Sequence, residues 1–172
     1  KEKGPRLVNF FYQDSAGIRK QGTFFNGALD MNYPLQKKEY FSGGGGLSST
    51  IYDYAILLQM LLNGGEYNGV RLLSRNTVRL MTMNQIGDLF VTLGGIKSEN
   101  KFGFGFSIIS ENGSRLSPSQ AGTYSWGGIF GTSYWVDPKE DMFVLIYRQI
   151  YGPHVTDTDK QFKPLVYQAI ND

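Results

Sequence analysis

Cysteine is absent from the 172 residues, and histidine occurs once, at His154. The first absence excludes disulfides, a thiolate nucleophile and cysteine-based metal sites. The second rules out a histidine-rich zinc centre and argues against a Ser-His-Asp triad. His154 follows Tyr151-Gly-Pro153 and reads as a solvated loop residue. No metal and no cofactor is expected. Charged residues make up 19%, the net charge is +2, and no Lys/Arg cluster interleaves with aromatics, so nucleic acid is not an expected partner. No apolar run approaches the roughly 18 residues that cross a bilayer, so no membrane span is expected. The nucleophile elbow G-x-S-x-G, the phosphate loop G-x-x-x-x-G-K-[ST], H-E-x-x-H and G-x-G-x-x-G are all missing.

Hydrophobic residues amount to 41%, enough for one domain with a real core. The chain opens at Lys1, and its first apolar stretch, Leu7 to Tyr12, reads as a strand already under way. The natural protein is therefore expected to continue upstream. Residues 1–43 carry extended segments and turns at Asp14-Ser-Ala-Gly17 and Asn32-Tyr-Pro34, without a helical period. Thr50 and Asp53 form a helix start signal, and Ile51, Tyr54, Ala55, Leu58, Leu61 and Leu62 recur on one face behind it. Asn63-Gly64-Gly65 ends that helix. Ser74 caps a second one with Val78 and Met81 inward, and a loop from about Asn84 to Lys101 follows as a candidate functional lip.

The second half reads as strands at Phe102–Ile109, Tyr124–Trp126, Thr132–Val136 and Met142–Arg148. Met142–Tyr147 is apolar on both faces, which predicts a central strand covered by helices on each side. A C-terminal helix is expected to pack through Phe162, Leu165, Val166 and Ile170, starting late because of Pro164. The class is α+β: an antiparallel sheet flanked by helices. Residues 1–100 form its helical and loop part, and residues 101–172 supply the sheet and the last helix, all within one domain.

Two stretches invite a chemical reading and fail it. Gly43–Gly46 lacks the lysine and hydroxyl of a phosphate loop and reads as a pliant helix entry. Ser98-Glu-Asn-Lys101 is a literal S-x-x-K, but it lies in a polar loop rather than on a helix face, where serine and lysine can exchange a proton. The informative run is Trp126-Gly127-Gly128, because two glycines entering a strand-turn-strand unit leave its backbone bare for close approach.

Phe41-Ser-Gly-Gly-Gly-Gly-Leu-Ser-Ser-Thr-Ile-Tyr-Asp-Tyr-Ala, with Leu58-Gln-Met-Leu-Leu-Asn-Gly-Gly-Glu-Tyr-Asn-Gly-Val-Arg-Leu-Leu-Ser74, resembles the serine β-lactamase-like family. In particular it looks like the branch of class C β-lactamases and family VIII esterases among penicillin-recognising enzymes. Phe102-Gly-Phe-Gly-Phe and Tyr124-Ser-Trp-Gly-Gly-Ile-Phe-Gly-Thr fall in the same order, and the resemblance runs from about Val8 to Arg148. It implies a β-lactamase/transpeptidase-like fold lacking its N-terminal portion. Trp126, Gly127 and Gly128 match the family's third motif, and Ile129 would offer a main-chain N–H to the oxyanion hole. A branched side chain at Gly128 is expected to crowd the substrate's path. The family's S-x-x-K and Y-x-N motifs have no credible counterpart here and would lie upstream.

The implied function is that of a fragment of a serine hydrolase acting on esters or amides, β-lactam and peptidoglycan-type substrates included, through an acyl-enzyme. The alternative is a non-catalytic binding protein for peptide or cell-wall fragments. Implied partners are a small-molecule or peptide substrate and the missing N-terminal portion, or self-association in its place. Periplasmic or secreted location rests on the resemblance alone.

Overall fold

Thr50 starts the first long helix in the way its spacing predicts. The computed structural model describes residues 6–24, 26–27, 29–37, 39–93, 95–152 and 157–170; His154 lies outside them. Helix α1 (Ile51–Leu62) begins with Thr50 Oγ1 accepting the Asp53 N–H (3.1 Å) and donating to the Asp53 carboxylate (2.8 Å). One orphan donor of the first turn is thereby satisfied, and an acid sits at the positive end of the helix dipole. At the other end Gly65 N–H donates to Met60 O (2.8 Å) with φ at +100°. A Cβ at Gly65 would strike the Leu73 carbonyl, so this cap needs glycine. In α2 (Arg75–Met81), Ser74 Oγ accepts the Thr77 N–H (3.0 Å). Leu58 and Leu61 are buried as expected; Met60 joins them from outside the predicted stripe.

The first 100 residues carry short antiparallel pairs as well as these helices. They are β1 (Phe10–Asp14) with β2 (Gly17–Gln21), β3 (Thr23–Phe24) with β4 (Leu29–Asp30), β5 (Glu66–Tyr67) with β6 (Val70–Arg71), and β7 (Val91–Leu93) with β8 (Ile96–Ser98). The stretch expected to be a loop from Asn84 to Lys101 thus contains a hairpin, and the first strand starts at Phe10 rather than Leu7. The main sheet follows: β9 (Lys101–Phe102), β10 (Ser107–Ile108), β11 (Tyr124–Gly127), β12 (Ser133–Asp137) and β13 (Met142–Ile146). Its order is β13-β12-β11-β10-β9, antiparallel throughout. Then β14 (Ile150–Tyr151) leaves this sheet and pairs in parallel with β1. Two further helices, α3 (Glu111–Ser114) and α4 (Asp157–Gln168), complete an α+β fold. No helix among the described residues is long and apolar enough to cross a membrane.

Two expectations about the sheet are corrected, and then one about its C-terminal helix. Phe102–Ile109 is not one strand: Gly103 N–H donates to Phe106 O (2.9 Å), and Gly105 has φ +91°, so the chain turns back on itself. The turn is pinned to the end of α2, where Phe104 N–H donates to Met81 O (2.9 Å). β13 is an edge strand of the sheet among the described residues, not a central one, because the chain beyond it departs to pair with β1. Its residues are only half-buried.

α4 begins at Asp157 and carries Pro164 inside it. Its sheet-facing contacts are made by Asp159, Lys163 and Tyr167, while Phe162 and Leu165 are exposed. The polar contacts at Asp159 and Tyr167 flank Pro164 and hold the helix through the backbone bond that proline forfeits.

The core lies between α1 and one face of the sheet, where Leu58, Leu61 and Val78 meet Ile108, Tyr124, Tyr134 and Val136. Full burial of Leu58 and Val136 is worth about 1.5–3 kcal/mol each. Tyr54 of α1 lies 5.2 Å from the Tyr134 ring and 6.1 Å from the Tyr147 ring. Burial pushes the Tyr147 and Tyr167 phenols up to about 12, and Tyr124 and Tyr134 upward as well. Unfolded phenols ionise near 10, so above that pH the unfolded chain binds fewer protons than the folded one. Stability present below about pH 10 is therefore expected to fall as pH rises toward 12. Urea midpoints measured from pH 8 to 11 check this, and Tyr147→Phe is expected to flatten the decline; an unchanged slope in that variant would count against the assignment.

Candidate functional site

Gly127 lies where β10 stops covering β11. β10 pairs with Tyr124 and Ser125 only, whereas β12 pairs with all of Tyr124–Gly127. The chain preceding β10 has turned away at Gly103–Phe106, so among the described residues no strand covers the outer edge of Trp126–Gly127. Register decides which backbone groups face that edge. Gly128 N–H donates to Thr132 O (2.7 Å), which makes the alternate positions 126 and 124 hydrogen-bonded toward β12. Ser125 and Gly127 then direct their N–H and C=O groups the other way. For Ser125 they meet Ser107 of β10; for Gly127 they meet the open edge.

The next residues form a tight turn, closed by Gly131 N–H donating to Gly128 O (3.0 Å). Ile129 is its second residue, a position whose own N–H the turn does not use. Its side chain is 58% exposed. Trp126 is 39% exposed and meets the Phe102 ring edge-on at 5.2 Å. The four residues Trp126–Ile129 thus present an aromatic wall, a bare main-chain edge and a turn N–H in succession. A Cβ on Gly128 would meet Thr132 Oγ1, just before β12. A side chain there would press on the turn, in addition to any crowding of a substrate's path.

Ser98 and Lys101 are each engaged elsewhere. Ser98 Oγ accepts the Asn100 N–H (3.1 Å), while Lys101 Nζ donates to Leu89 O (3.0 Å) and sits 5.1 Å from the centre of the Phe90 ring. Gly43–Gly46 is a turn closed by Gly46 N–H on Ser42 O (2.9 Å), ahead of the Thr50 cap. Among the described residues no three His, Cys, Asp or Glu side chains gather as a metal site.

The opposite face of the sheet carries features that motif reading missed. Between α4 and the sheet lies an open depression of about 490 Å³, lined by Ser107, Ser125, Gly127, Ser133, Trp135 and Lys163 among others. Ser133 Oγ and Trp135 Nε1 are buried without a partner among the described residues. Lys163 Nζ stands 4.9 Å from the centre of the Trp135 ring; burial pushes its ammonium pKa down, against the pull of Asp137 and Asp159. Asp137, fully buried, accepts hydrogen bonds from Thr123 Oγ1 (2.9 Å), the Tyr167 hydroxyl (2.7 Å) and Lys139 N–H (3.1 Å). Alternation in strands signals which residues share this face, but pairing Asp137 with α4 needs the fold.

The Beta-lactamase family model matches residues 7–166. The chain is 34% identical over 113 residues to an uncharacterized protein of Mycobacterium tuberculosis, covering 62% of this chain and 28% of that protein. To a putative D-alanyl-D-alanine carboxypeptidase of Escherichia coli K12 it is 30% identical over 138 residues, covering 77% of this chain and 30% of that protein. In fold it is similar to a mutant of simvastatin synthase (LovD) from Aspergillus terreus, with a TM-score of 0.72 at 20% identity over 97% of this chain and 45% of that one. It is also similar to EstCE1, a hydrolase with promiscuous acyltransferase activity, with a TM-score of 0.65 at 22% identity over 83% and 38% of the two chains. The matched stretch thus spans less than a third of the curated relatives' own length.

Proposed function

The chain belongs to the beta-lactamase family, and on that premise we propose that it builds the oxyanion-side wall of an acyl-transferring serine hydrolase. The nucleophile and its proton-handling lysine and tyrosine lie upstream in this reading. The observation that carries it is the open edge at Gly127 beside the unspent N–H of Ile129. A substrate carbonyl attacked by serine develops a negative oxygen, and a preorganised N–H beside it lowers the barrier without reorganisation. Ile129 supplies that N–H. Gly127, with its N–H and C=O turned outward, lets an extended substrate lie along β11 as an added strand. The acyl group is then carried on the serine, the leaving group departs with a proton, and water cleaves the acyl-enzyme.

Trp126 narrows the substrate. The family's lysine at this position would bind a carboxylate; here an indole set against Phe102 offers no charge. Esters and uncharged amides suit this wall better than β-lactams. A putative D-alanyl-D-alanine carboxypeptidase and a hydrolase with promiscuous acyltransferase activity among the similar proteins are consistent with acyl transfer. The same open edge also suits a protein that only binds peptide, and the experiment below separates the two.

The upstream portion of the protein is the partner this fragment needs. Open β13 and exposed Phe162 and Leu165 are the surfaces it would complete. Without it, residues 1–172 are expected to self-associate.

The test is intact-mass analysis after treatment with a fluorophosphonate probe. The full-length protein is expected to take one adduct, on a serine upstream of these residues, and Ser98→Ala is expected to leave it unchanged. Residues 1–172 alone are expected to take none, because nucleophile and base are not held beside the oxyanion donor. An adduct on Ser98, or on the fragment alone, would overturn the reading. A full-length protein that takes no adduct but binds peptide supports the non-catalytic alternative.

A further inference from the structure

Glycines at 127, 128 and 131 give the turn carrying Ile129 more backbone freedom than a preorganised donor tolerates. The structure holds it from outside at two consecutive residues. Phe130 stacks on Phe10 (4.6 Å, 12° between planes) and meets Phe24 edge-on (5.1 Å), and its carbonyl accepts the Ile150 N–H (2.9 Å). The next carbonyl, Gly131 O, accepts Arg148 Nε–H (2.9 Å). The same guanidinium donates from Nη2 to Asp159 Oδ1 on α4 (2.9 Å), and its side chain is only 17% exposed.

We propose that Arg148 is a positioning residue for the oxyanion-side turn, holding Gly131 O against α4 so that the Ile129 N–H keeps one direction. The inference rests on the reading of Ile129 given above. Gly131, at φ +80°, lies in the region where glycine moves most freely. Rotation of the peptide that follows it would swing the turn closed on Gly128. Arg148 opposes that rotation through one donor while its other donor is anchored, two contacts in fixed relative geometry. Lysine, with one mobile ammonium on a flexible stem, lacks that fork. Asp159 in turn keeps the guanidinium from rotating toward solvent. Arg148 touches no reacting atom in this scheme; it acts through the turn.

The test uses the full-length protein and two readouts. Arg148→Gln is expected to lower kcat for a nitrophenyl ester about ten- to a hundredfold, with KM within about twofold, since a displaced donor weakens the transition state more than the ground state. Amide hydrogen exchange, read residue by residue, is expected to speed up about tenfold or more at Gly128 and Gly131, whose N–H groups are hydrogen-bonded within the turn, and to stay unchanged along β12 and β13. Should Arg148→Gln not fold, Arg148→Lys carries the same test, because it keeps the charge beside Asp159 and loses the Nε donor. Asp159→Asn, which spares the bond to Gly131, is expected to give a smaller loss of the same kind. Exchange that is unchanged at the turn, or raised evenly through the sheet, overturns the positioning role whether or not the protein is active. Local exchange with undiminished kcat overturns its link to catalysis. A wild-type protein with no esterase activity instead overturns the reading of Ile129, while the exchange data still decide the clamp.

Discussion

Ile129→Pro in the full-length protein is expected to lower kcat for an activated ester by about 10²–10³, or about 3–4 kcal/mol of transition-state stabilisation. Proline deletes the one backbone hydrogen proposed to meet the oxyanion and little else. Ile129 is the second residue of a turn closed by Gly131 N–H on Gly128 O, the position where proline's fixed φ is favoured. Its side chain is mostly exposed, so losing the isoleucine costs little packing. The melting temperature is therefore expected to stay within a few degrees of wild type. Ile129→Ala, which keeps the N–H, is expected to stay within a few-fold in kcat. Equal activity in the proline and alanine variants would sink the assignment. This substitution is cleaner than Gly128→Val, whose new side chain would collide with Thr132 and disturb the turn as a whole.

Asp137→Ala is expected to be the most destabilising single change on the α4 face, by about 3–5 kcal/mol. The carboxylate is fully buried and is the shared acceptor for Thr123, Tyr167 and the Lys139 N–H. Alanine removes the acceptor and leaves all three donors without it, with buried Lys163 deprived of one of its two acidic neighbours. Tyr167→Phe removes one donor and leaves the acceptor satisfied by the others, so about 1 kcal/mol is expected. Urea unfolding of the full-length variants decides the matter. A loss below about 1 kcal/mol for Asp137→Ala would mean that the cluster is held by its surroundings rather than holding them.

Helix starts and stops were legible because they are local. Thr50 and Asp53, Ser74 and Thr77, and Gly64-Gly65 act within a few residues of themselves, and each does what its spacing predicts. Strand neighbours were less legible. Met142–Ile146 is apolar on both faces, yet it lies at the edge of the sheet, since apolarity records what a strand is meant to touch rather than what is within these residues. Pairing of β14 with β1 joins strands far apart in the sequence and leaves no local trace. On α4 the misreading was chemical. Phe162 and Leu165 looked inward by hydropathy, but the inward face is Asp159, Lys163 and Tyr167, spaced four apart and matched to Arg148, Trp135 and Asp137. The motif Trp126-Gly127-Gly128 stood out in the sequence. Arg148 did not, because its meaning depends on a carbonyl seventeen residues away.

The parallel pairing of β1 with β14 bears on when the candidate site comes into being. Each strand of the main sheet lies beside its neighbour in the chain, so the sheet closes short loops one at a time. Joining Phe11 to Ile150 closes by far the longest loop among the described strand pairings, and closure entropy grows with loop length. Contacts of such sequence separation form late. The Phe10 ring that stacks on Phe130, and the Ile150 N–H that holds its carbonyl, both arrive with that closure. The turn bearing Ile129 therefore reaches its final geometry only when β1 and β14 have met, which ties the direction of its N–H to the longest-range strand pairing among the described residues.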